Sequence, residues 1–135
     1  MSATGARAPD DISRPARRLT GQLAAGAATA NTAIIYEVIP VRGAARVKVR
    51  LKVTNTGTLD LLFVGPDFNQ QQAVDGVAFG SLTGTVYTTG NPAQVAIVAN
   101  TENSISSDCY GESYAIVKFT GSATGAISYC DVSQV

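Results

Sequence analysis

From about residue 34 onward, apolar and polar positions alternate with a period of two, the repeat of a strand with one side in a core and the other outside. The clearest run is Arg46 to Val53, where Val47, Val49, Leu51 and Val53 fall on one side and Arg46, Lys48, Arg50 and Lys52 on the other. Clusters of Gly, Pro, Asn and Ser bound this run and its neighbours, and the pattern predicts eight strands, over 33–41, 44–54, 59–65, 73–79, 82–89, 93–99, 113–120 and 125–132. Ile34, Tyr36 and Val38 give the first strand an apolar side, and Val95, Ile97 and Ala99, then Ala115, Val117 and Phe119, do the same later. Asn and Gly tolerate the positive φ of a tight turn, so Asn55-Thr56-Gly57-Thr58 predicts a hairpin between the second and third strands. The last two strands are expected to pair in the same way around the link 121–125. Short strands at this spacing imply an all-β fold, an eight-stranded antiparallel β-sandwich of the jelly-roll type, with an immunoglobulin-like Greek key as the competitor. The two longest connections, 66–72 and 100–112, are where a local binding site would sit.

Residues 1–33 read differently. They hold four of the ten basic residues and no aromatic, with only Met1, Ile12, Leu19 and Leu23 as large apolar side chains. A short helix from Ser13 to Ala25 has an N-cap in Ser13 and Pro15 near its first turn, although Gly21 and Gly26 weaken it. The chain therefore divides into an N-terminal arm, 1–33, and a sandwich body, 34–135. An arm without its own core is expected to be ordered by another molecule, with Arg7, Arg14, Arg17 and Arg18 as charged anchors and Ile12, Leu19 and Leu23 as apolar ones. The alternative is that it folds back over its own sandwich.

Composition narrows the chemistry. A hydrophobic share of 45% against 15% charged residues supplies enough apolar surface for a folded chain. Ten basic and ten acidic residues cancel, so no overall field draws DNA or an anionic membrane, and an electrostatic partner must meet a local patch. Histidine is absent, which removes the commonest general base and zinc ligand together with the Ser/His and Cys/His pairs. No apolar run approaches the roughly 20 residues of a spanning helix. Arg14, Arg17 and Arg18 before Leu23–Ala28 and Ala28-Thr29-Ala30 have the layout of a secretory signal, but the run is Ala- and Gly-rich and Asp10 and Asp11 precede it, so export is not expected. If 113–120 and 125–132 pair, Cys109 lies roughly 20 Å from Cys130, beyond the ~7 Å limit for a disulfide, and both thiols are expected to be free unless the chain bends sharply at Gly111.

Candidate sites are few. Glu102, Asp108 and Glu112 share one connection and offer carboxylates for Ca²⁺ or acid/base work, yet their spacing follows no calcium-loop pattern. Asn69 to Gln72 with Phe68 has the elements of a sugar site. No Walker or dinucleotide fingerprint occurs, and no cofactor or metal is expected. The pattern with most weight is the rail Arg46, Lys48, Arg50 and Lys52, about 20 Å of like charge that calls for something negative opposite. A solvated face balanced by Asp60 on the neighbouring strand, an acidic protein partner and nucleic acid are the three readings. The neutral total charge and the lack of interleaved aromatics count against the last.

A small His-free β-domain with the arm Ser2-Ala3-Thr4-Gly5-Ala6-Arg7 through Ala33, the alternation Arg46 to Val53, and turns such as Gly80-Ser81-Leu82-Thr83-Gly84-Thr85 resembles the cement, or decoration, proteins of tailed-bacteriophage capsids, that of a Bordetella phage among them. Such proteins are alike in role rather than in sequence, so no residue is assigned by matching. The resemblance implies a virion structural protein, not an enzyme, that binds and stabilises an assembled capsid shell. It implies the major capsid protein as partner and a homo-oligomer, a dimer first, with no nucleic acid and no membrane. The expected location is the capsid surface, after assembly in the host cytoplasm. Arg7, Arg14, Arg17, Arg18, Leu19, Leu23, Arg46, Lys48, Arg50 and Lys52 are the expected contact residues. The rival expectation is a carbohydrate-binding or adhesive module using 66–72 and 100–112.

Overall fold

The strand-forming alternation produces two antiparallel sheets in a computed structural model that describes residues 14–85, 87 and 93–135. In chain order the elements are β1 (Arg14–Arg18), β2 (Ala28–Thr29), β3 (Ile34–Pro40), β4 (Arg46–Val53), β5 (Gly57–Val64), a one-turn helix α1 (Gln71–Val74), β6 (Ala93–Ile97), β7 (Asn103–Asp108), β8 (Tyr114–Gly121) and β9 (Gly125–Gln134). One sheet runs β1-β9-β4-β7, with β2 also on β9, and the other runs β3-β8-β5-β6. The pairs nest: β5 with β6, outside it β4 with β7, then β3 with β8, then β1 with β9. Successive pairs fall in alternate sheets. This is one long antiparallel hairpin rolled up from its tip, the jelly roll, and the sandwich expectation holds.

Nesting corrects both predicted hairpins. β4 and β5 lie in different sheets, as do β8 and β9, so 54–56 and 122–124 are crossings between sheets. The two crossings run side by side, joined by Asn55 Nδ2 donating to the Thr124 carbonyl at 2.8 Å and by the hydroxyls of Thr56 and Ser122 at 2.5 Å. Asn and Gly signal a tight turn but not which sheet the chain enters next.

The core lies between the sheets. Val47, Val49, Leu51 and Val53 of β4 meet Leu59, Leu61 and Phe63 of β5 and Ala115, Val117 and Phe119 of β8. A second, smaller cluster covers the outside of the second sheet. Tyr36, Val64 and Ile116 face outward there and are buried by Phe68, Ala73, Phe79 and Leu82 from the connection after β5. Tyr36 and Val38 thus form the apolar side foreseen for their strand, but it faces this lid, while Ile35 and Ile39 face the main core. The lid corrects two predicted strands. Residues 73–79 contain the end of α1 and a turn, and of 82–89 the described part holds a single bridge, Tyr87 opposite Val64. Their apolar residues reflect packing onto a sheet, which a period-2 reading mistakes for membership of one.

The largest correction concerns the segment before Ala33. No helix forms over 14–25: β1 pairs with β9, Arg17 opposite Val132 and Arg18 opposite Asp131, and β2 rejoins the same edge. Between them the chain turns inward. Leu19 N donates to the Cys130 carbonyl at 2.8 Å and Gly26 N to that of Ile127 at 2.7 Å. Leu23, with no exposed surface, and Leu19, 7% exposed, join the main core. The Glu37 carboxylate on β3 accepts the N–H groups of Gly21 at 2.9 Å and Leu23 at 3.0 Å, tying the open side of the sandwich to the edge of the second sheet. A Cβ at Gly21 would fall 2.9 Å from Glu37 Cδ, so a side chain there would push the carboxylate back from this approach. Residues 14–33 therefore satisfy their apolar groups within their own chain, and Leu19 and Leu23 are not available to a neighbour. Residues 1–13, with Arg7 and Ile12, lie outside the described residues.

Leu23→Ala is expected to destabilise the fold by about 2–5 kcal/mol, the range for emptying a fully buried leucine site. Chemical denaturation would read this as a lower midpoint with an unchanged slope; an unchanged midpoint would mean that the segment is a free arm after all.

Candidate functional site

Burial of one side of β4 dictates what its other side does. Val47, Val49, Leu51 and Val53 are each at most 1% exposed, so Arg46, Lys48, Arg50 and Lys52 stand on the outer face of the first sheet. Pairing with β7 and β9 fixes their neighbours. Arg46 faces Asp108 on β7, Lys48 faces Ser106 on β7 and Ser133 on β9, Arg50 faces Ser104 and Asp131, and Lys52 faces Tyr129. The acid proposed to balance the rail, Asp60, is elsewhere: it lies on β5 of the other sheet, opposite Lys118, and accepts from Gln94 Nε2 at 2.6 Å.

The acids of this face are already engaged. Asp131 takes Arg18 in a two-point contact, Nε at 2.8 Å and Nη2 at 3.2 Å, and Arg18 lies 4.7 Å over the Tyr129 ring. The hydrogen bond to Asp131 raises the Arg18 pKa; burial opposes it, and the charge of Asp131 adds to the rise. Asp108 pairs with the Arg46 guanidinium. Tyr129 donates its hydroxyl to Glu102 at 2.5 Å, and this bond leads the causes that raise its pKa. Lys48, Arg50 and Lys52 have no ion-pair partner among the described residues. Three neighbouring cations are thus held at about 6.8 Å spacing on a rigid sheet, with hydroxyls beside them.

The remaining sequence candidates do not converge. Arg14 starts β1 opposite Gln134, Arg17 is half-buried opposite Val132, and Arg18, opposite Asp131, shares the rail's face. Glu102 precedes β7 and Asp108 ends it, about 20 Å apart along a strand, so they form no carboxylate pair. No group of three metal-ligating side chains occurs among the described residues. Two of the amides of 69–72 are engaged locally: Gln72 bonds the N–H, hydroxyl and carbonyl of Thr83, and Asn69 Oδ1 accepts from Gln71 N at 3.0 Å. Phe68 is buried in the lid, 4% exposed, so it offers no sugar-stacking face.

Sequence reasoning missed β7 and with it Ser104 and Ser106. The strand carries one large inward side chain, Ile105, followed by Ser107 and Cys109, so the 100–112 region reads as a loop. It ends in a tight turn in which Tyr110 and Gly111 both have positive φ, 55° and 71°, and Glu112 N donates to the Cys109 carbonyl at 2.9 Å. The sharp bend at Gly111 is therefore real, yet Cys109 and Cys130 remain free and buried. The outcome matches expectation for a different reason: Cys130 lies opposite Leu51, in the middle of the first sheet.

No protein-family model matches this chain, and no curated protein matches it. Among solved structures the chain is similar to the coat protein of Tobacco streak virus, with 14% identity over 90% of this chain and 84% of that one and a TM-score of 0.38.

Burial, with the charges of Glu37 and Asp131 adding to it, pushes the Cys130 thiol up from 9.0 to about 12. The raised pKa fixes the sign of a pH effect: its contribution is intact below the unfolded value near 9 and is lost as pH climbs toward 12. Denaturation followed from pH 8 to 11 should show stability falling above pH 9, and Cys130→Ser or Cys130→Ala should flatten that fall; an identical slope in both variants would assign it to other groups.

Proposed function

We propose that this protein is a structural component of a virion that docks on an assembled capsid shell through the outer face of the β1-β9-β4-β7 sheet, and that it does so without catalysis. One observation carries the reading: Lys48, Arg50 and Lys52 stand in a row without ion-pair partners among the described residues, on a face whose acids serve Arg18, Arg46 and Tyr129. Like charges so close on one strand repel, and an anionic surface opposite removes that cost. The resemblance in style to capsid cement proteins supplies the identity of that surface, the major capsid protein, and the capsid exterior as the location.

The mechanism is linkage. A protein that binds the assembled shell and not its free subunits lowers the free energy of the shell alone. Weak docking suffices when many copies bind a repeating lattice, because each shell subunit is held at several points. The sandwich contributes rigidity, since a strand flanked on both sides by pairing partners presents its side chains at fixed spacing.

The test is co-sedimentation with assembled shells of the major capsid protein, beside its unassembled subunits. The wild-type protein is expected to travel with shells and to be released as salt is raised. Lys48→Glu, Arg50→Glu and Lys52→Glu together are expected to abolish sedimentation with shells while leaving the fold intact, because all three side chains lie outside the core. Full co-sedimentation of the triple variant, or none of the wild type, would overturn the reading.

A further inference from the structure

The rail's central member sits in a more specific setting than its neighbours. Lys48 pairs directly with Ser106 on β7 and with Ser133 on β9, so a hydroxyl flanks its strand position at one strand spacing, about 4.8 Å, on either side. Neither hydroxyl makes a hydrogen bond among the described residues. A surface hollow of about 290 Å³ opens at this point, lined by Arg46, Lys48, Ser106, Ser133, Gln134 and Val135. A lysine whose strand position is flanked by two serines can bring its ammonium and their hydroxyls to one oxyanion, and a charged acceptor makes each of those bonds stronger than a neutral one would.

We infer that Lys48, with Ser106 and Ser133, seats a carboxylate of the docked partner, and that the partner presents acidic side chains at alternate positions of an extended strand. The inference rests on the docking reading above and gives the partner its chemistry. Spacing supports it. Lys48, Arg50 and Lys52 recur every second residue, about 6.8 Å, which is also the repeat of side chains on one face of any strand laid along them. Three carboxylates so placed meet three cations one to one. The aromatic content of the face separates this partner from a nucleic acid. Tyr129 is the one aromatic on the strands of this sheet among the described residues, and its ring lies under Arg18 while its hydroxyl binds Glu102, so no platform is left for a base. Asp108 and Asp131 border the row, and they would repel a continuous phosphate chain where discrete carboxylates can sit between them.

The experiment titrates the full chain with an octapeptide of alternating Glu and Thr, by amide NMR at about 10 mM ionic strength, where the screening length is about 30 Å. An octanucleotide of thymidine is titrated beside it. Peptide-induced shifts are expected to concentrate in 46–52, 104–106 and 131–133. Ser106→Ala with Ser133→Ala keeps the net charge and is expected to weaken the peptide about three- to tenfold with the same salt dependence, as loss of two hydrogen bonds should. Lys48→Met is expected to reduce the salt dependence itself, whereas Arg42→Met, an equal loss of charge in the turn before β4, is expected to change little. Wild-type affinity in the double serine variant, or an oligonucleotide that displaces the peptide, would overturn the inference. Shell co-sedimentation on the same variants separates the two proposals. Shells bound without peptide binding would remove the carboxylate seat and leave the docking face, and peptide bound without shells would remove the shell and leave the seat.

Discussion

Strand β4 couples the inside of this protein to its outside. Four aliphatic side chains between the sheets cannot leave the core without exposing apolar surface, at about 25 cal/mol per Å². Because successive side chains of a strand point in opposite directions, that burial forces Arg46, Lys48, Arg50 and Lys52 onto one outward-facing row, the last two half-buried. A slip of one residue would place the cations in the core, so the register is as strongly fixed as the core itself. The charged row is thus a consequence of the fold, and what gives it a use is that three of its members lack counter-ions in the described part of the chain.

Strand β9 is the second organising element. It takes β4 on one side and, on the other, first β1 and then β2, so the segment 14–29 closes the sheet that displays the charged row. The inward residues of β9, Ile127, Cys130 and Val132, pack in the core, while Asp131 and Ser133 face outward beside Arg50 and Lys48. Glu37 then joins this edge to the opposite sheet through two backbone N–H groups. A segment that looks detachable by composition is thereby part of the support for the exposed face. Stability and presentation depend on the same contacts.

Much of the fold was legible in the sequence, and the failures have particular causes. β3, β4, β5, β6, β8 and β9 announce themselves because each carries several large apolar residues on an alternating side. β7 has only Ile105, and β1 has none, since Pro15, Ala16 and Arg17 give no periodic signal; both are edge strands whose pairing comes from their neighbours. Leu19 and Leu23 looked like too small an apolar set to fold, which is true of a segment alone but not of one that plugs an existing gap. Topology was not legible, because Asn55-Thr56-Gly57 serves a crossing as well as a hairpin. Of the site, the rail was visible as a period-2 pattern. Its flanking serines were not, since they became neighbours of Lys48 only through pairings distant in sequence.

The chain contains three lysines, and their placement allows a direct measurement. Lys48 and Lys52 stand on the outer face of the first sheet and Lys118 on the second, where its ammonium lies 4.5 Å from the Phe79 ring. Acylation of lysine amines, quantified by mass spectrometry for the protein free and bound to assembled shells, compares the two faces within one molecule. The account predicts that binding shields Lys48 and Lys52 while Lys118 reacts at its free rate. Equal labelling of Lys48 and Lys52 in both states, or shielding of Lys118 instead, would contradict it.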